Sequence, residues 1–514
     1  MITIKFEAEP RRHKEDAVNL IILFFVAFLL GIYLIVTTVL VAPDGIYYIE
    51  RAQKLSSNPS SVVMSHPPGY PFLIFIALKF VGLFNGSPSA QTWVYTAQSM
   101  TLLCRLLAII PLYFIGKLFV GPRNSFWALL ILILLPYPAR FGSDVLRDWP
   151  HILFLAVGFL FLLWGAEQGK WWFFGITGLV TGLGFTIRPE CAQLVLYSIL
   201  WLCIKFLKPN YNMSRAKLLC ALFILLIGFA LPVAPYVIEA GRIIPPKLRE
   251  LVDSSKENAV SFFQAQPEQE VNIDSHNRIY SIVSLLGNII KAIGRLIGEI
   301  SDNLMYFFLP ALLIGFYCRF GKQSKATAVE RFFVPVFIVF NVIMMILLHY
   351  SQGYISRRHC LPLVAFSIFY VPVGLQIFAE WLSNRFSKGC LGNNPKPQLW
   401  CFILAAVGVT ICLPKLVRPL RIEKKGYREV ARWLKENTAK EDLIAVPDHR
   451  IGFYAERDIS TSENENASEG IDYIVSLVKD ENEEPEVGRT VQKKLSFWLD
   501  KRRKKYRLII YKVL

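Results

Sequence analysis

The chain has 514 residues, 54% of them hydrophobic and only 18% charged, with nine Cys and a formal net charge of +17. A soluble domain carries about 25% charged residues. Here the deficit falls in long uncharged blocks, so the chain reads as a polytopic α-helical membrane protein and not a soluble enzyme. The excess Lys and Arg gather in short loops between apolar runs, which argues against nucleic acid as a partner and for membrane orientation, with anionic membrane lipid or a lipid phosphate as a further partner.

Residues 17–43 contain no Asp, Glu, Lys or Arg. A run this long spans a bilayer, and it exceeds the core of a cleavable signal, so it is expected to remain as an anchor. Asp44 follows at once, then Gly45, Tyr47, Tyr48 and Ala52, and later His66-Pro67-Pro68. An acid where the chain leaves the lipid can meet a water-side substrate and a lipid-borne one together. Residues 68–84 are apolar but short and begin with Pro and Gly. A spanning role would invert every later loop, so they are expected to form an interfacial helix.

Further uncharged runs cover 96–116 (interrupted by Arg105), 125–139, 149–166, 172–187, 191–204, 218–238, 303–318, 332–348, 359–379 and 398–414. With the first, they give about eleven transmembrane helices. In 279–300, Ile282, Leu286, Ile289, Ile293, Leu296 and Ile300 recur at helical spacing while Lys291, Arg295 and Glu299 hold another face, the pattern of a second interfacial helix. No internal repeat is visible, which argues against the duplicated build of many transporters. The Cys residues lie mostly within apolar runs, with no metal-ligand or redox spacing, and read as packing.

Beyond 421 the composition becomes charge-rich. Helix over 427–437, strand over 443–446, strand over 473–477, helix over 491–502 and strand over 507–511 predict a small C-terminal α/β domain. This divides the chain into a transmembrane unit, 1–420, and a soluble unit, 421–514. Residues 460–468 form a polar loop of low expected order, and Asn466-Ala467-Ser468 fits a glycosylation acceptor pattern.

With Arg11, Arg12 and Lys14 in the cytoplasm, the loops holding Lys117, Lys170, Arg215, Arg319 and Arg385 are cytoplasmic as well. The outer face then receives Asp44 to Pro71, Arg140 to Asp148, Arg188 to Glu190, the 350–358 loop and the C-terminal domain. Arg418, Arg421, Lys424 and Lys425 also fall outside, against the general bias.

Asp44 can take a proton from an attacking hydroxyl or hold a divalent cation, the one cofactor the sequence leaves open; its alternative is a mere helix-end acid. The loop from Arg140 to His151 packs Asp144, Arg147 and Asp148 between spans. Arg188-Pro189-Glu190 interrupts two apolar runs, and Arg357-Arg358-His359 opens a late one. Guanidinium groups suit phosphate through paired, charge-assisted hydrogen bonds. The plainer readings are helix termination for Arg188 and headgroup contact for Arg357 and Arg358. Arg105, inside a span, requires a buried partner or a polar cavity.

These motifs, Asp44-Gly-x-Tyr-Tyr-x-x-x-Ala52, His66-Pro67-Pro68, Asp144, Arg188-Pro189-Glu190 and Arg357-Arg358-His-x-x-Pro362, resemble the GT-C superfamily of membrane glycosyltransferases. The likeness is greatest to the branch of protein O-mannosyltransferases, aminoarabinose transferases and RgtA-like galacturonosyltransferases, and it extends over nearly the whole chain. The resemblance implies a multi-pass enzyme of the plasma membrane that moves a hexosyl or pentosyl group from a polyprenyl-phosphate donor to a lipid, glycan or protein acceptor. Transfer would occur on the extracytoplasmic face, with inversion. It implies Asp44 as base and carries the second-loop acid to Asp144 in preference to Asp148. Tyr47, Tyr48, His66, Arg147, Asp148, Arg188, Glu190, Arg357 and Arg358 are then the substrate-binding candidates. Gly45 departs from the Asp-Glu pair of the mannosyltransferases, and Gly69 stands where a Leu often follows the prolines. The alternatives are a multi-span lipid or sugar transporter or flippase, which should hold its charges near mid-membrane, and a non-catalytic assembly protein that uses the tail to hold a partner.

Overall fold

The computed structural model describes residues 10–83, 88–207, 213–241, 275–321, 326–387, 397–461, 470–479, 490–500 and 505–514. Cys390 and the 466–468 acceptor pattern lie outside them. The first half of the transmembrane region runs α1 (Pro10–Thr37), α2 (Pro43–Lys54), α3 (Pro59–Ser65), α4 (Gly69–Gly82), α5 (Ala90–Val120), α6 (Pro122–Leu134), α7 (Pro136–Phe141), α8 (Asp148–Gln168), α9 (Trp172–Phe185), α10 (Gln193–Leu207) and α11 (Arg215–Ala240). The second half runs α12 (Ser275–Asn303), α13 (Phe308–Phe320), α14 (Ala328–Gln352), α15 (Leu361–Ser367), α16 (Tyr370–Ser387) and α17 (Pro397–Val417).

Among the described residues seven helices are long and apolar enough to cross a membrane, or up to nine if each bent pair is one span. Each expected apolar run is helical over most of its length. The difference from about eleven lies in α6 and α9, of 13 and 14 residues, which at about 1.5 Å per residue fall short of a bilayer core. The apolar 68–84 stretch is the separate short helix α4, which buries Tyr70, Pro71, Ile74 and Leu78. The amphipathic helix expected over 279–300 lies within α12 and meets α13 at 107°. Met305 and Tyr306, at φ 55° and 58°, make that turn.

Local signals explain the ends. Ser89 Oγ accepts from Thr92 N–H to start α5, and Gly121, at φ 85°, stops it. Thr327 and Glu330 form a capping box on α14. Pro136 breaks the line of α6 into α7, and Arg105, fully buried, donates to the Ile133 carbonyl at that break across 3.0 Å. That carbonyl partners Nη2 alone, and Nε and Nη1 are buried without a hydrogen-bond partner among the described residues.

The C-terminal region consists of α18 (Lys425–Asn437), β1 (Ile444–Val446), α19 (His449–Ala455), β2 (Ile459–Thr461), β3 (Tyr473–Val478), β4 (Val491–Trp498) and β5 (Arg507–Val513). The sheet order is β2-β1-β3-β5-β4. β1 pairs parallel with β2 and β3, and β5 pairs antiparallel with β3 and β4. The helix expected over 491–502 is instead the edge strand β4. Its Val491, Leu495 and Phe497 alternate closely enough to pair with β5, and that pairing overrides the weak helical pattern. The short elements α19 and β2 were not expected from the sequence. One apolar cluster joins the two regions: Ile46, Ile49 and Trp93 pack in the same core as Tyr427, Ile451 and Tyr454.

Candidate active site

The site is built around the start of α2. Pro43 opens the helix and Asp44 lies in its first turn, where the helix dipole favours a carboxylate. Gly45, Ile46 and Ile49 turn inward while the Asp44 side chain stays 48% exposed. Gly45 is required by space: a Cβ there would come within 2.8 Å of Val145 Cβ. Gly69 is a second close approach. Its N–H donates to the Thr186 carbonyl across 2.7 Å, and a Cβ would come within 2.8 Å of the Thr186 backbone. Both glycines therefore answer to close packing around the site.

Arg358 Nη2 donates to Asp44 Oδ2 across 2.8 Å, and its Nε lies 3.7 Å from Asp148 Oδ2. On the far side Arg188 Nη1 donates to Asp148 Oδ1 across 2.9 Å, and Arg188 Nε stands 3.2 Å from Glu190. The five groups alternate in sign, with an exposed carboxylate at one end and a buried one at the centre. Burial pulls the Arg358 guanidinium down, but Asp148 and Asp44 outweigh it and leave its pKa above the usual arginine value. Arg188 behaves alike: burial lowers it, while Glu190 and Asp148 raise it further. Both arginines therefore stay charged. Tyr48, one turn after Asp44, has its phenol pushed up, mainly by burial and against the pull of Arg147.

Tyr47 and His66 form a neighbouring cluster with Arg51. The Arg51 guanidinium donates to the Tyr47 hydroxyl and lies 2.8 Å from His66 Nδ1, while Tyr47 and His66 meet edge to face at 5.6 Å. Arg147 stands at the residue before α8, with its guanidinium 3.5 Å from the Ile187 carbonyl.

The structure thus brings Asp44, Asp148, Arg188, Glu190 and Arg358 into one network, with Tyr48 and Arg147 beside it. Asp144 is placed differently. It is buried, its Oδ1 accepts from the N–H groups of Ala42 and Val145, and its Oδ2 accepts from Arg421 across 2.6 Å. Arg357 turns away from Asp44: it lies over the Tyr137 ring at 4.4 Å and stands 3.6 Å from Glu299. Among the described residues no three His, Cys, Asp or Glu side chains converge as metal ligands.

Several residues in this region were not singled out from the sequence as site residues. Arg51 carries one signal, its i, i+4 spacing from Tyr47 on α2. Arg421, Arg450 and Tyr454 reach the segment before Asp44 from the C-terminal region. Arg421 donates to the Leu40 carbonyl across 2.9 Å, Arg450 to the Val41 carbonyl across 3.1 Å, and Val41 N–H donates to the Tyr454 hydroxyl across 3.4 Å. Arg421 holds a left-handed backbone, φ 55°, a strain that these bonds stabilise.

Residues 65–236 match the family of dolichyl-phosphate-mannose-protein mannosyltransferases. No curated protein matches the chain by sequence. Among solved structures the chain is similar to ArnT from Cupriavidus metallidurans bound to undecaprenyl phosphate, with a TM-score of 0.53 and 13% identity over 95% of this chain and 97% of that one. It is also similar to the Archaeoglobus fulgidus oligosaccharyltransferase tethered with an acceptor peptide, with a TM-score of 0.55 and 12% identity over 90% of this chain and 69% of that one. The likeness to these solved structures is one of fold, and the family match covers the segment from Ser65 to Tyr236.

Proposed function

We propose that the protein transfers a sugar from a polyprenyl-phosphate donor to an acceptor hydroxyl on the extracytoplasmic side of the plasma membrane, with inversion and with Asp44 as base. The observation that carries this reading is one guanidinium, Arg358, joining exposed Asp44 to buried Asp148. An exposed carboxylate held at one oxygen by a fixed cation is aimed, and an aimed carboxylate at a membrane edge can accept a proton from a hydroxyl delivered from water or lipid.

In the reaction the acceptor oxygen attacks the anomeric carbon as its proton passes to Asp44. The bond from that carbon to the phosphate oxygen breaks, and polyprenyl phosphate leaves with the electron pair. Negative charge then grows on the phosphate, where Arg147 supplies charge-assisted hydrogen bonds, while Arg358 holds the base. Arg188, held by Asp148 and Glu190, fixes the position of Asp148 and through it Arg358. Asp144 positions the backbone ahead of Asp44 in place of the catalytic role that the family resemblance implies for it. Residues 1–420 form the catalytic transmembrane unit and 421–514 the soluble unit, with the N-terminus in the cytoplasm. Support comes from the relatives: the ArnT structure carries undecaprenyl phosphate, and the oligosaccharyltransferase structure carries an acceptor peptide.

The test is purified protein incubated with labelled polyprenyl-phosphate sugars, products being read by mass spectrometry. Asp44→Asn should lower transfer about 100- to 10,000-fold while the protein still inserts. Wild-type turnover in that variant would remove Asp44 from the mechanism.

A further inference from the structure

Beside the Asp44–Arg358 pair lies a pocket of about 550 Å³, within the range of small-molecule sites. Arg357, Arg358, Arg418 and Arg421 line it, with Asp144 and Glu423 as its acids, and Tyr137 stacks on Phe141 at 6.5 Å to give an aromatic wall. The arginines differ in how tightly they are held, Arg358 by Asp44. Arg421 is locked at the back by Asp144 and the Leu40 carbonyl. Arg418 and Arg357 stand at the mouth, 53% and 39% exposed, and their acidic neighbours are no nearer than 3.6 Å. Lys415 adds charge behind the wall, 5.3 Å from the Tyr137 ring centre. Under the proposed orientation this concentration of cations lies on the outer face, against the general charge bias.

We propose that this pocket binds a phosphate group carried by the acceptor, so that the acceptor substrate is a phosphorylated sugar. The proposal rests on Asp44 being the base of an inverting displacement. In such a step nucleophile and leaving group lie on opposite sides of the anomeric carbon. Arg358 is shared between the pocket wall and Asp44, so a group in the pocket lies on the base's side, where the acceptor belongs and the donor phosphate does not. Guanidinium groups match phosphate through paired hydrogen bonds. The volume exceeds what a lone phosphate needs and leaves room for the sugar that carries it.

The test is calorimetric titration of the full-length protein in neutral phosphatidylcholine nanodiscs with glucose 1-phosphate, glucose and undecaprenyl phosphate. Glucose 1-phosphate should bind saturably and glucose about tenfold more weakly or not at all. Arg418→Gln should weaken glucose 1-phosphate about fivefold, and Lys415→Gln about twofold, with undecaprenyl phosphate held within about twofold in both. Both side chains are exposed, so these variants keep the fold. Three results would overturn the proposal: no preference for the phosphorylated sugar; equal weakening of undecaprenyl phosphate, which makes the pocket the donor's; or loss of glucose 1-phosphate binding on adding phosphatidylglycerol, which makes it a headgroup site. Binding is read here without turnover, so failure would leave the Asp44 transfer test standing.

Discussion

Arg450 Nη1 donates to the carbonyl oxygen of Val41 across 3.1 Å, although the two residues lie 409 positions apart in the chain. Arg450 is almost wholly buried and is also paired with Asp448. Val41 precedes Asp44 by three residues, so the C-terminal α/β region grips the backbone that aims the proposed base. Leu420, Arg421 and Tyr454 hold the same segment at Val39, Leu40 and Val41. A loop held from several sides keeps its acid in one place at little entropic cost during reaction.

Arg450→Lys should therefore lower kcat about tenfold with KM within about twofold. Lysine keeps the charge but loses the planar fork that bonds the Asp448 carboxylate and the Val41 carbonyl at once. A change in KM alone would assign Arg450 to substrate binding instead.

The Asp44–Arg358 contact makes a separate prediction. Arg358→Gln removes the cation between Asp44 and buried Asp148 and should cost about 100-fold or more in transfer. Arg358→Lys should recover part of it. A double-variant cycle with Asp44→Asn should be strongly non-additive, because the two side chains act as one unit. Additive losses would show that Arg358 acts independently of Asp44.

Asp144 is expected to behave as a structural acid. Arg421→Ala leaves it buried with its backbone donors alone and should destabilise the protein by about 2–4 kcal/mol, read as a lowered Tm in detergent. Asp144→Asn should likewise lower Tm. If Asp144→Asn instead abolished transfer with an unchanged Tm, Asp144 would belong to the chemistry after all.

Gly45→Glu restores the acid pair of the mannosyltransferases but drives a side chain into Val145. It should lower Tm and transfer together, with overpacking alone costing about 1–3 kcal/mol. A fully stable Gly45→Glu protein would show that α2 can move away from that segment.

Two histidines should titrate with opposite sign. His449 Nε2 lies 2.8 Å from Glu50, and that bond raises its pKa above the ordinary value of 6.5. Its contribution to docking of the C-terminal region on α2 is present in full below pH 6.5 and is lost as pH rises through the raised value. His359, at the site, is pushed down to about 4, first by burial and then by Arg188. Its contribution is present above 6.5 and is lost as pH falls toward 4. Hydrogen exchange over 449–455 as a function of pH should show the first effect and lose it in Glu50→Gln.

Much of this was legible from residue order. Apolar runs too long for a soluble core reveal a bilayer, because unpaired backbone cannot stand in lipid and the spans must be helical. Asp44 stood out for its place at the end of the first run, and Arg188, Glu190 and Arg358 for interrupting or opening others. Val491–Trp498 misled because its few apolar residues fit either period, and only β5 beside it decides the matter.

By itself, then, the chain determined the membrane architecture and nominated its charged residues, since burial in lipid imposes a long-range composition that needs no partner to be read. Tertiary structure alone decided which charges meet. It gave Arg358 to Asp44 and Asp148, and Arg421 to Asp144, because pairing between groups hundreds of residues apart depends on helix packing and not on local sequence.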